Sequence, residues 1–312
     1  QQASSREKPR ASDASANAQF GLSVDLEVGA VARALVGAPK PGGIGAAYVL
    51  ERSGAPGNPW TEQAKLVASD GATNDFFGRT VALSFLTAIV SAPSDDDACP
   101  ADPNCNSGSA YVFARTGPTT WPQEAKLTSS DAANGDRFGL SGLGLDADGD
   151  EAVIGAPLFD NPSGSHGSAY WFVRTGTVWD QISKVLPNDG DTTDFFGQAV
   201  SMAPPLGNAG PQILIGAPLD DDGPVADAGA LYVMESATLV SLLFESGGVV
   251  VNESRGTPPT AVSSQFSQND RDFLRGHVQQ IFDDGLGAGI VGVLEGTTGC
   301  VNIVISAGTS PT

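Results

Sequence analysis

The dipeptide Phe-Gly recurs with its phenylalanine at positions 20, 77, 138 and 196, at intervals of 57, 61 and 58 residues. Self-similarity at such a period constrains a fold more than any local propensity, because one unit cannot bury its apolar face alone and must stack on the next. An acidic turn precedes each copy: SDASANAQFG ends at Gly21, SDGATNDFFG at Gly78, SDAANGDRFG at Gly139 and NDGDTTDFFG at Gly197. An apolar run follows, closing in LVGAP at Pro39, IVSAP at Pro93, VIGAP at Pro157 and LIGAP at Pro218. Next come GAAYVL, GSAYVF, GSAYWF and GALYVM, and the first three units finish with a tryptophan and an outer segment, WTEQAKL, WPQEAKL and WDQISKV.

Each unit therefore reads as four short strands: after Phe-Gly, into Gly-Ala-Pro, through Ala-Tyr-Val and at the Lys-Leu segment. Sheets of four strands repeating with Gly and aromatic signatures predict an all-β fold, a β-propeller of four-stranded blades. Small side chains in Gly-Ala-Pro let neighbouring sheets crowd together, and proline ends a strand where its missing amide does no harm. The phenylalanine is expected to fill the gap between blades, with the following glycine allowing close approach. On these motifs the chain resembles the FG-GAP repeat family, known from the integrin α-chain propeller and from bacterial exported proteins.

Units of about 12–68, 69–129, 130–187 and 188–266 match well; beyond them the pattern weakens. NDRDFLRG at 269–276, AGIVGVLEG at 288–296 and GCVNIVI at 299–305 keep the order of acidic turn, apolar run and third strand, which makes 267–312 a degenerate fifth unit. It ends after its third strand, whereas REKPRASD at the N-terminus stands where other units have EAKLTSSD. The expectation is one domain over 1–312 with five blades, residues 7–11 supplying the last blade's fourth strand and leaving no exposed edge. Donation of that strand to a second copy is the alternative. Within 238–266, two β-prone runs around Gly247-Gly248 predict a hairpin, either an insertion in the outer edge of blade four or an apolar docking patch.

The balance of 36 acidic to 16 basic residues, a net charge of -20, argues against nucleic acid as partner. No apolar stretch reaches the length of a membrane-spanning helix. The polar QQASSREKPRASD start is no signal peptide, so for an exported protein the signal has already been removed. Cys99 and Cys105 bracket a turn-rich PADPN loop short enough for a local disulfide, a weak vote for an extracellular or cell-surface location, with unpaired thiols as the other reading. Cys300 is left over, and Asn252 heads a lone sequon.

The resemblance implies calcium loops of the form Asp-x-Asp-x-Asp-Gly-x-x-Asp between a blade's first two strands. Asp146, Asp148 and Asp150 take the alternating positions, but Gly149 precedes Asp150 and Ala152 or Val153 stands where a later acid is expected. Calcium binding and a plain acidic hairpin turn both remain open. A second acidic series follows Gly-Ala-Pro: Asp95, Asp96, Asp97, Asp160, Asp220, Asp221, Asp222 and Asp227. It reads as a rim for a cation or a basic partner, or as a solvated loop face. Asp70, Asp75, Asp131, Asp136, Asp189 and Asp194, before each Phe-Gly, recur too regularly for one site and read as turn caps.

His166 and His277, the two histidines, support neither a Ser/His/Asp triad nor a His-rich metal centre, and both read as surface or interblade residues. The leading expectation is a non-catalytic extracellular or cell-surface propeller that binds a protein or glycan ligand, as adhesion proteins do. Two alternatives accompany it: a self-assembling subunit of a surface layer or filament, and a carbohydrate-active enzyme.

Overall fold

Every Phe-Gly is followed by a strand, and the apolar runs alternate in their neighbours as a pleated sheet requires. The computed structural model describes residues 7–53, 58–84, 86–98, 102, 105–161, 164–187, 193–203, 212–221, 225–235, 242–245, 248–251, 290–295 and 301–305, and no helix occurs among them. The chain divides into two compact units, Gln1–Ser236 and Ala237–Thr312.

The first unit holds four antiparallel sheets in sequence order. Blade 1 is β1 (Val24–Val28), β2 (Val31–Ala38), β3 (Ala46–Ser53) and β4 (Thr61–Leu66). Blade 2 repeats it with β5 (Val81–Ser84), β6 (Thr87–Ala92), β7 (Ser109–Ala114) and β8 (Gln123–Leu127). Blade 3 is β9 (Leu143–Leu145), β10 (Glu151–Ala156), β13 (Ser168–Thr175) and β14 (Val178–Val185), with the small ribbon β11 (Asp160–Asn161) and β12 (Gly164–Ser165) in its central loop. Blade 4 pairs β15 (Ala199–Ala203), β16 (Gln212–Ala217) and β17 (Ala230–Glu235). Blades 1 to 3 share an irregularity: the third and fourth strands slip register at Val49/Leu50, Val112/Phe113 and Trp171/Phe172. A bulge conserved between copies marks a built-in twist of the outer strand.

The core lies between blades. Leu35, Ala47 and Val49 of blade 1 pack with Phe77, Val90 and Tyr111 of blade 2. Ile89 and Val112 of blade 2 pack with Phe138, Ile154 and Tyr170 of blade 3. Val153 and Ala169 of blade 3 pack with Phe196, Ile213 and Ile215 of blade 4. Successive residues of one strand thus enter different cores: Ala152 and Ile154 face blade 2 while Val153 faces blade 4. Burial on both faces explains why these runs are continuously apolar instead of alternating with polar residues.

Phe-Gly is the joint. The residue before it has a left-handed backbone in all four copies, at Gln19, Phe76, Arg137 and Phe195, and so does the glycine after it. This double reversal aims the phenylalanine back into the preceding blade. Phe138 N–H donates to Ser107 O at 2.9 Å and Phe196 N–H to His166 O at 3.0 Å, each across a blade boundary. A Cβ on Gly78 would overlap the Ala46 carbonyl oxygen and come within 2.9 Å of Ala38 N, so close approach to the blade 1 backbone demands glycine there.

In the second unit, β18 (Leu242–Glu245) pairs antiparallel with β19 (Gly248–Val251), and β20 (Ile290–Glu295) with β21 (Val301–Ile305). The first pair falls within 238–266, and β20 and β21 fall within AGIVGVLEG and GCVNIVI. Residues 7–11 form no strand. A segment becomes a strand only on a ladder partner, and the strand expected to pair with these residues, in GCVNIVI, belongs to the second unit. The segment is nonetheless anchored: Ala11 is buried beside Tyr48, and the Glu7 carboxylate accepts the Trp60 N–H.

Candidate functional site

An antiparallel meander places its first and third turns at one end of a blade and its second turn, with the passage to the next blade, at the other. The acids nominated by sequence fall into two groups accordingly. Asp146, Asp148 and Asp150 lie in the β9–β10 turn at one end, while Asp95, Asp96, Asp97, Asp160, Asp220, Asp221 and Asp227 lie at the opposite end with the acidic turns before Phe-Gly. Asp222 and Asp189 lie outside the described residues, as do Cys99, Cys300, Asn252 and His277.

At the second-turn end, Asp95 is buried and spent on the chain itself. Its carboxylate accepts the Tyr111 hydroxyl at 2.6 Å and the Asp97 amide at 2.9 Å, and pairs with Lys126 at 3.0 Å. Lys126 also meets Asp70 at 2.9 Å and the carboxylate of Asp97. Burial alone would lower the Lys126 pKa, but the carboxylates of Asp97, Asp70 and Asp95 hold it well above the ordinary lysine value. Asp70 in turn is kept below the ordinary carboxylate range, its burial outweighed by Lys126 and Tyr111. Asp96 accepts the Asn106 amide at 2.9 Å, and Asp97 and Asp221 present exposed side chains to solvent. Cys105, in the same loop, is buried and disulfide-bonded.

Asp146 caps its own turn. A single oxygen, Oδ1, accepts the amides of Gly149, Asp150 and Glu151, each at 2.9 Å. Gly149 has a left-handed backbone and a Cβ there would press on Thr87 of blade 2, while Ser84 of blade 2 donates its hydroxyl to Ala147 O. Asp150 pairs with Arg174 at 3.1 Å, which reaches Glu124 of blade 2 at 2.6 Å. Asp148 is exposed. The loop is a strut between blades 2 and 3. Among the described residues no three acidic, histidine or cysteine side chains converge as metal ligands would, and Ala152 and Val153 are buried in β10. The later acidic ligand of the loop that the resemblance implies therefore has no counterpart here, while Asp146 Oδ1 is taken by its own turn.

Beside this strut, Glu151 accepts the Trp171 indole N–H at 2.9 Å. Burial, with the charges of Asp146 and Asp150 adding to it, pushes its pKa up to about 7. A carboxyl raised in the folded state contributes stability fully present below its unfolded pKa and lost as pH rises through the folded one. Glu151→Gln should match the parent near pH 4 and exceed it at pH 8 by about 1 kcal/mol after allowance for solvent screening. Thermal melts across that window check the sign.

A family model described as the FG-GAP repeat matches residues 60–113, 121–172 and 179–234, just over half of the sequence. The chain belongs to the FG-GAP repeat family. Each FG-GAP match begins at the outer strand of one blade and ends in the third strand of the next, so the sequence unit straddles the joint described above. No curated protein matches the chain. Among solved structures, exo-inulinase from Aspergillus awamori is similar over 68% of this chain and 50% of its own, with a TM-score of 0.36 and 11% identity. The chain thus spans half the length of that protein. No helix among the described residues is long and apolar enough to cross a membrane.

Within the FG-GAP units, the acids before Phe-Gly divide into two roles. Asp75 and Asp136 are buried caps whose carboxylates accept the amides of Ala72 and Ala133 three residues earlier, as the sequence suggests. Asp70 and Asp131, together with Asp13, instead form a latch that the sequence reading missed. Lys65 meets Asp13 over the Tyr48 ring, Lys126 meets Asp70 over Tyr111, and Lys184 meets Asp131 over Tyr170. The residue before each of these aspartates also donates its amide to the same blade's outer strand, Ser12 to Glu62, Ser69 to Gln123 and Ser130 to Gln181, each at 2.9 Å. His166 is buried at the boundary of blades 3 and 4, consistent with an interblade residue.

Proposed function

We propose that this propeller is a non-catalytic binding module, extracellular or at a cell surface, whose acidic end engages a basic region of another macromolecule. The observation that carries the reading is the placement of the Asp95–Asp97 and Asp220–Asp227 loops at one end of the blades, with Asp97, Asp221 and Asp227 exposed, on a chain of net charge -20. Such a surface attracts basic partners and speeds their encounter. Fluorescence anisotropy of lysine-rich and glutamate-rich peptides against the full chain tests it. The reading expects binding of the basic peptide alone, weakening as salt rises and falling roughly tenfold when Asp97, Asp221 and Asp227 are all changed to Asn. Equal binding of both peptides, or an unaffected triple variant, contradicts it.

Exposed apolar side chains favour a second reading. Val24, Leu26 and Val28 of β1 and Leu231 and Val233 of β17 lie open within the first unit, surfaces that suit burial in an assembly. Light scattering on the full chain and on one lacking residues 1–11 separates the two: polymers that dissolve on truncation support self-assembly, and a monomer in both cases opposes it.

A further inference from the structure

The joint between blades 2 and 3 is built differently from its neighbours. Every joint sets the Phe-Gly turn of one blade against the second-turn glycine of the blade before it, Gly45, Gly108 or Gly167. All three glycines have left-handed backbones, and a Cβ on any of them would strike the phenylalanine backbone of the next blade. The loop that leads to this glycine is short in blade 1, from Pro39 to Gly45, and longer in blade 3, from Pro157 to Gly167, where the β11–β12 ribbon ties its two arms together. Blade 2 has the longest of the three, from Pro93 to Gly108, and no ribbon braces it among the described residues. It carries instead Cys105, buried and disulfide-bonded, whose partner sulfur lies outside the described residues.

A longer loop costs more entropy to hold in place, yet three successive carbonyls of this one grip blade 3. Cys105 O, Asn106 O and Ser107 O accept the amides of Gly135, Arg137 and Phe138 at 2.7, 3.1 and 2.9 Å. The Asn134 side chain adds a bond to the Asp102 carboxylate at 3.1 Å. The same three residues also fix their own loop: Cys105 N–H donates to Asp102 O at 3.1 Å, Asn106 N–H to Asp96 Oδ1 at 2.9 Å, and the Ser107 hydroxyl to Asp95 O at 3.1 Å. At the neighbouring joints Gly43 O accepts the Asn74 amide and His166 O the Phe196 amide, at 3.1 and 3.0 Å, and no cysteine stands in either loop.

We infer that the Cys105 disulfide is a redox clasp on the joint between blades 2 and 3: oxidised, it holds the Cys105–Ser107 carbonyls against the Phe138 turn, and its reduction loosens this joint while the other two stay closed. A cross-link removes freedom from a loop before its contacts form, so cutting it returns that freedom to the residues beside it. A dithiol makes the cut in two exchanges. One of its thiolates attacks a cysteine sulfur and expels the other as thiolate; its second thiolate then closes a cyclic disulfide and expels the first cysteine. Two electrons pass to the protein, and two cysteine thiols result. Burial of Cys105 shields the bond, so a dilute monothiol should leave it intact. The inference goes beyond the binding reading above and does not rest on it, since the joint opens or stays closed with no partner present.

Hydrogen exchange on the full chain, read by NMR before and after treatment with excess dithiothreitol, tests the clasp. Thiols are counted by alkylation under denaturing conditions, and reduction should add two. Exchange at the amides of Gly135, Arg137 and Phe138 should then rise about tenfold or more, while the amides of Asn74 and Phe196 keep their rates. Cys105→Ser should show the loosened pattern without any reductant. Thiols that stay unreleased in excess dithiothreitol, rates at residues 135–138 that do not change once the thiols are free, or all three joints loosening together would overturn the inference. Should the serine variant fail to fold, the reduced parent protein decides.

Discussion

Gly78→Ala is expected to lower the stability of the blade array by about 4 kcal/mol or more, at the upper end of what single substitutions do. Two costs combine. Gly78 sits at φ 95°, where a side chain is strained, and its Cβ would enter the space of the Ala46 carbonyl. Neither neighbour is the far end of a flexible side chain, so relief requires moving blade 2 away from blade 1. Gly176→Ala is the control: it shares a positive φ of 66° but has nothing within 4 Å of the new atom, so it should cost only the conformational term, about 1–2 kcal/mol. Chemical denaturation of both variants checks the difference. Equal losses would mean that backbone strain, and not contact between blades, is what the glycine relieves.

Phe138→Ala should cost about 3–5 kcal/mol. The ring is fully buried, packs edge-on against Tyr170 at 5.6 Å and Phe172 at 5.9 Å, and shares its core with Ile89 and Val112 of the preceding blade. Its removal leaves a cavity bounded by two sheets that cannot collapse independently. Phe20 makes the same edge contact with Tyr48 at 5.5 Å but is only half-buried. Phe20→Ala should therefore cost clearly less, and a loss equal to that of Phe138→Ala would contradict the interblade account. Denaturant midpoints with slopes held in view separate stability from a change in compactness.

The repeat made the strands legible because Phe-Gly, Gly-Ala-Pro and Ala-Tyr-Val each carry a local backbone or packing demand. Asp75 and Asp136 were legible as caps for the same reason, since their partners lie three residues away. Asp70 and Asp131 were not, because their lysines lie 56 and 53 residues along the chain and spacing alone does not show which acid of a turn points outward. The signal existed: a lysine precedes the final Leu or Val of every outer segment in the first three units. The Asp146 loop stays open between a cation site and a turn in the sequence for a different reason. Alternating aspartates suit a cation, but a left-handed Gly149 brings three amides onto one Asp146 oxygen, and composition cannot tell a carboxylate that faces an ion from one that faces its own backbone.

The central claim is that the repeated signature is a joint between blades and not a feature of one blade. Hydrogen exchange on the full chain, read at the amides of Phe138 and Phe196, tests it most directly, because both donate across a blade boundary. The account predicts protection comparable to that of β6 and β10, with these amides opening together with the strands they join. Exchange at the rate of the exposed turns, while the strands stay protected, would show blades that fold separately and contradict it.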